Sequence, residues 1–141
     1  MDVLILVGRI LFVLVFVSSG LMGHFGQVDQ LTAWSESRGL KNARLMVLAS
    51  GAWIVVGGLM VAFGVFADLG FLLLAAFSFG AAFLMHGFWK ESDPMQKMSE
   101  QTQFMKNLAL AGAALVMFVF FAAAGSTIGL QITDPLFEVT L

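Results

Sequence analysis

RLMVLASGAWIVVGGLMVAFGVFADLGFLLLAAFSFGAAFLMHGFW, residues 44–89, is almost continuously apolar. A helix rises about 1.5 Å per residue and needs about 20 residues to cross a hydrocarbon core, so this run is roughly two crossings long. Its one interruption is Phe66-Ala67-Asp68-Leu69-Gly70, near the middle. The pattern therefore reads as a helical hairpin with a very tight turn. Asp68 stands where a carboxylate can accept from the free N–H groups that open the second helix, and N-capping is its expected role.

Two more runs flank the hairpin. Residues 3–23 are long enough to cross once, although Arg9 interrupts them. A central arginine costs about 2.5–3.5 kcal/mol on insertion scales, and each Leu, Ile, Phe or Val returns about 0.3–0.6, so insertion still wins. A cleaved signal peptide would place basic residues before its apolar core, whereas here Asp2 precedes the run and Arg9 lies inside it. Downstream, residues 105–130 form a fourth apolar run, and a short tail with Asp134, Pro135 and Glu138 follows. The expected architecture is all-α: one integral-membrane four-helix bundle over residues 1–141 with short loops and spans near 3–23, 44–66, 68–89 and 105–130.

Composition agrees. With 60% hydrophobic and 11% charged residues, the chain is far more apolar than a soluble domain, in which about a quarter of residues are charged. It has no cysteine, which removes disulfides, thiolate metal sites, thiol redox chemistry and Cys-ligated iron–sulfur clusters. A net charge of -2 without a basic cluster gives no footprint for nucleic acid. Membrane lipids are the expected surroundings.

Polar connectors fill residues 24–43 and 90–104, and the stretch 27–37 can form a short interfacial helix with Trp34 at headgroup level. Arg38, Lys41, Arg44, Lys90, Lys97 and Lys106 cluster in or beside these connectors, while the opposite side has no Lys or Arg except Arg9. The positive-inside rule puts both connectors in the cytoplasm and both termini outside a cytoplasmic membrane. Arg9 favours the opposite orientation if it counts as a flanking charge. Small residues recur, among them Gly51, Gly57, Gly58, Gly64 and Gly80, and in lipid they let helices approach closely, either within the bundle or against other subunits.

The candidate site residues fall into two groups. Arg9 would find a partner in Asp68, Asp2, Asp134 or Glu138, as a structural ion pair or by snorkelling outward; otherwise it can contact an anion or a quinone carbonyl. His24 and His86 end the first and third spans, and Lys106 and Asn107 begin the fourth, so these four can converge at one depth. Arg9 and His24 are about 22 Å apart along a helix, too far to share a small ligand, yet only about 60° apart around it. A bis-His haem is one reading of the histidine pair; hydrogen-bonded interfacial histidines are the simpler one. Glu36, Glu91 and Asp93 show no ligand spacing, and no metal site is expected. Fifteen Phe and three Trp serve packing and lipid contact, or line a pocket for a flat apolar ligand.

Gly8-Arg9-Ile10-Leu11, Ser19-Gly20-Leu21-Met22, Gly57-Gly58, Met85-His86-Gly87-Phe88-Trp89, Asp93-Pro94 and Gln103-Phe104-Met105-Lys106-Asn107-Leu108-Ala109-Leu110 together resemble the DoxX family of small four-helix membrane proteins. The resemblance spans nearly the whole chain. The family takes its name from a membrane subunit associated with thiosulfate:quinone oxidoreductase, and Arg9, His86, Lys106 and Asn107 fall on its recurrent polar positions. Many members carry a glutamate early in the second helix, where this chain has Ser50-Gly51-Ala52. That departure speaks against an enzymatic role.

The expected function is an accessory or anchoring subunit of a larger respiratory or electron-transfer membrane complex, with other membrane subunits as partners and no catalytic residues of its own. The alternatives are a quinone-linked oxidoreductase subunit that contacts a quinone head, and a non-redox lipid- or small-molecule-binding protein. No resident cofactor is expected; quinone is the one candidate ligand.

Overall fold

The computed structural model describes residues 1–140. The chain runs through α1 (Asp2–Ser18), which continues as a π-helical segment (Ser19–Phe25), then α2 (Val28–Ser37), α3 (Ala43–Phe63), α4 (Ala67–Met85) and α5 (Pro94–Ala124). Four stretches are long and apolar enough to cross a membrane: Asp2–Phe25, Ala43–Phe63, Ala67–Lys90 and Pro94–Thr127. The molecule is an all-helical, multi-pass membrane bundle in contact with lipid.

Neighbouring helices pack in chain order: α1 against α3, α3 against α4 and α4 against α5, with the short α2 lying against α3. Phe71 on α4 ties three helices together, its ring 5.6 Å from Phe12 on α1 and 5.1 Å from Phe121 on α5. Val13, Phe16, Ile54, Val61 and Leu74 complete this buried cluster. Because lipid supplies no hydrophobic drive between helices, such interlocking contacts and close backbone approach hold the bundle. Leu4, Leu11 and Leu14 on α1 and Leu115 and Val116 on α5 are exposed, as lipid-facing residues are.

The helix ends differ from the sequence expectation, by a few residues at the ends of α3 and α4 and more consequentially in the first and fourth spans. The fourth helix begins at Pro94, not near 105, because Asp93 caps it: its carboxylate accepts from Gln96 N at 2.8 Å, and Pro94 occupies the first turn. Most of the stretch 90–104, read as a loop, is thus helix. That helix stops at Ala124, short of residue 130, where Gly125 takes φ +57 and a single 3₁₀ turn (Gly125–Thr127) starts the tail. At the end of α1, Gly26 N bonds to Leu21 O at 3.0 Å, one residue further back than in an α-helix. This wider turn re-aims His24, so the angle of about 60° from Arg9 that a straight helix would give no longer applies.

Asp68 is not an N-cap. The residue before α4 is Phe66, at φ +44, and no side chain caps the helix. Asp68 is fully buried, and its Oδ2 accepts from Leu136 N at 2.9 Å and Phe137 N at 2.8 Å. The tail folds back over the α3–α4 turn and brings its own N–H groups to this carboxylate. Ile132 N and Thr133 N donate to Gly64 O at 3.0 and 3.1 Å, and Phe66 N donates to Thr133 Oγ1 at 2.7 Å. Gly64 itself has φ +69, and a Cβ there would stand 2.7 Å from Gln131 Cα, so turn and tail can nest only around a glycine.

Candidate functional site

The bundle has two unlike ends. One holds the N-terminus, the α3–α4 turn and the tail; the other holds α2 and both polar connectors.

A cavity of about 490 Å³ opens at the connector end, walled by the π segment, α2, α3, α4 and α5. His24, His86, Lys106 and Asn107 all line it. Trp34, Trp53 and Phe77 supply aromatic wall.

Each polar group is held from behind. A Cβ at Gly51 would lie 2.6 Å from His24 Cβ, so this glycine lets the π segment sit directly on α3. There, His24 Nδ1 is 2.9 Å from Val47 O and 3.1 Å from Ser50 Oγ, while the Phe77 ring stands edge-on at 6.0 Å. His86 lies just beyond α4, where Ala82 O accepts its backbone N–H. Its Nδ1 is 2.8 Å from Glu100 Oε2 on α5, and Trp34 packs against its ring at 5.6 Å. One turn along α5, Gln103 takes two donors at helical spacing, its side-chain oxygen from Lys106 Nζ and its backbone carbonyl from Asn107 Nδ2.

Arg38 clamps α2 over this end. Its guanidinium pairs with Glu91 and, at 3.1 Å, with Glu100, and it lies over the Trp34 ring at 5.3 Å. These carboxylates and the arginine are only 11–13% exposed, so salt screens them weakly. Arg38, Glu91, Glu100, His86 and Trp34 thus form one network, and Leu31, Trp34 and Ser35 of α2 close one side of the cavity. Among the described residues no three His, Asp or Glu side chains gather as a metal site would require.

Arg9 belongs to the other end and does not reach the cavity. It is 2% exposed, and its Nη2 donates to Leu130 O at 2.6 Å. Among the described residues it forms no ion pair with Asp68, Asp2, Asp134 or Glu138, contrary to the ion-pair reading. Its Nε and Nη1, Asp68 Oδ1 and Gln131 Oε1 are buried without partners among the described residues. Arg9 and Asp68 therefore each hold the tail by its backbone, and neither neutralises the other.

The DoxX family model matches residues 4–87, from the first turn of α1 through Gly87. The chain belongs to the DoxX family. The match is narrower than the motif resemblance and ends before α5, so Lys106 and Asn107 lie beyond it. No curated protein and no solved structure matches the chain.

Several residues of the cavity and of the charged network behind it carried no signal in the sequence. Ser50 and Trp34 looked like scattered polar and headgroup residues, and Glu91 and Glu100 were ordinary connector charges. The one usable hint was the spacing of Gln103, Lys106 and Asn107, which puts all three on one face once the segment is helical.

Proposed function

We propose that this chain is a ligand-holding accessory subunit of a membrane electron-transfer complex. It takes the ring head of a lipid-soluble compound of the quinone class into the connector-end cavity, and its partner subunits supply the redox centres. The observation that carries this reading is the cavity: about 490 Å³ bordered by His24, His86, Lys106 and Asn107 between aromatic walls. Small-molecule sites run to about 300–1,000 Å³, are mostly apolar and hold a few converging polar groups. A flat ring with polar edges suits Trp34, Trp53 and Phe77 on its faces and the four polar side chains at its rim.

The accessory part of the reading rests on chemistry the chain lacks. It contains no cysteine, which removes thiolate-ligated iron–sulfur and copper centres, and no three His, Asp or Glu gather among the described residues. The exposed apolar faces of α1 and α5 offer surface to lipid or to another subunit. Arg38, Lys41, Arg44, Lys90, Lys97 and Lys106 lie at the connector end and support placing it in the cytoplasm, with both termini outside the cytoplasmic membrane.

Purification from the native membrane in mild detergent tests both parts. Co-migration with a cofactor-bearing partner, together with an extractable quinone-class compound, is the expected result. An isolated chain carrying no such compound contradicts the proposal.

A further inference from the structure

Both cavity histidines have one ring nitrogen committed, and the commitment fixes what the other offers a ligand. His24 Nδ1 lies 2.9 Å from Val47 O, a carbonyl that can only accept, so Nδ1 carries the hydrogen. Ser50 Oγ, 3.1 Å from Val47 O, donates to that same carbonyl and turns its oxygen towards His24 Nδ1, also at 3.1 Å. His86 Nδ1 lies 2.8 Å from Glu100 Oε2, and the other oxygen of Glu100 is 3.1 Å from Arg38 Nη2. A carboxylate paired with arginine accepts, so His86 Nδ1 carries its hydrogen too. Neither Nε2 has a partner among the described residues. In a neutral imidazole one nitrogen donates and the other accepts, which makes both Nε2 atoms acceptors.

The rest of the polar rim is mixed. Asn107 gives one of its two Nδ2 hydrogens to Gln103 O at 3.0 Å and keeps one N–H donor and its side-chain oxygen as an acceptor. Lys106 Nζ donates to the Gln103 side-chain oxygen, and the Lys106 ammonium and the Gln103 amide keep further N–H donors, from which a hydroxyl can accept while it donates to a histidine.

We infer that the cavity selects a ring head that donates hydrogen bonds, a phenol or hydroquinone hydroxyl, over the oxidised carbonyl form of the same ring. The inference rests on the ring-ligand reading above and assigns the redox form that is held. A hydroxyl placed at either Nε2 completes a hydrogen bond. A carbonyl oxygen there meets another acceptor and loses its water without replacement, and sites built to pair one hydrogen-bonding group discriminate strongly against its absence.

The test uses the whole chain in lipid nanodiscs at about pH 8, above the usual histidine titration range. Titration calorimetry compares three short-chain probes of one ring: a hydroquinone, the matching quinone and the dimethyl ether of the hydroquinone, which keeps the shape and has no donor. The expected result is hydroquinone binding at least about tenfold tighter than either other probe, as one added hydrogen bond would give. His86→Phe keeps a ring in place and removes one acceptor, so hydroquinone affinity should fall several-fold towards that of the ether while ether binding stays. Quinone binding as tightly as hydroquinone, or full hydroquinone preference in His86→Phe, overturns the inference and leaves the ring-ligand reading standing. Failure of all three probes to bind overturns that reading and the inference with it.

Discussion

Replacing Asp68 with alanine should release the C-terminal tail from the α3–α4 turn. Asp68 is fully buried, and one oxygen accepts both Leu136 N and Phe137 N at 2.8–2.9 Å. Hydrogen bonds to a charged group contribute about 1.5–3 kcal/mol each, and two that share one oxygen bracket the loss at about 1.5–6 kcal/mol. At about 1.4 kcal/mol per tenfold, the open tail becomes at least about ten times more populated. Hydrogen–deuterium exchange in nanodiscs reads this at the amides involved. The Leu136 and Phe137 amides should exchange at least about tenfold faster, while helical amides of α3 and α4 keep their rates. Asp68→Asn, which retains a neutral oxygen in place, should fall between alanine and the wild type. Unchanged exchange at Leu136 and Phe137 in the alanine variant would refute the claim that Asp68 anchors the tail.

Other substitutions probe the two ends separately. Leu130 is half exposed and held at φ +58, a conformation that costs a non-glycine residue about 1–2 kcal/mol, so Leu130→Gly should slow tail exchange. Gly64→Ala should do the reverse and lower the thermal midpoint, because the new Cβ meets Gln131 Cα at 2.7 Å and the backbone is left-handed; the expected destabilisation is about 2 kcal/mol or more. Arg38→Ala removes the link from α2 to Glu91 and Glu100, and ligand dissociation measured by tryptophan fluorescence should accelerate while the spanning helices keep their circular dichroism.

The spans were legible in the sequence because their signal is run length in apolar residues, which a bilayer imposes directly. Their ends were not. Asp93-Pro94 is a helix start, but the turns that follow, with Gln96, Lys97, Ser99, Glu100 and Gln101, carry only Met95 and Met98 as a thin apolar stripe to announce a helix. His24, His86, Lys106 and Asn107 all line one cavity, as expected, although Lys106 and Asn107 lie well inside α5, which starts at Pro94, and not at a helix end. The roles of Arg9 and Asp68 were hidden because their partners are backbone groups more than a hundred and nearly seventy residues away along the chain. A carbonyl at Leu130 or an N–H at Leu136 leaves no trace in side-chain chemistry. The charge that pairs with His86 was equally silent, since Glu100 differs from other connector carboxylates only in where α5 begins.

Native mass spectrometry of the protein released from its own membrane tests the ligand-holding claim most directly. Gly80 lines the cavity, and a Cβ there would meet nothing within 4 Å, so Gly80→Trp can be introduced without a backbone clash at its Cβ and brings an indole to the cavity. The wild type should carry a ring-compound adduct that Gly80→Trp loses at unchanged helix content. An adduct retained at equal occupancy in the variant, or none on the wild type, would contradict the account.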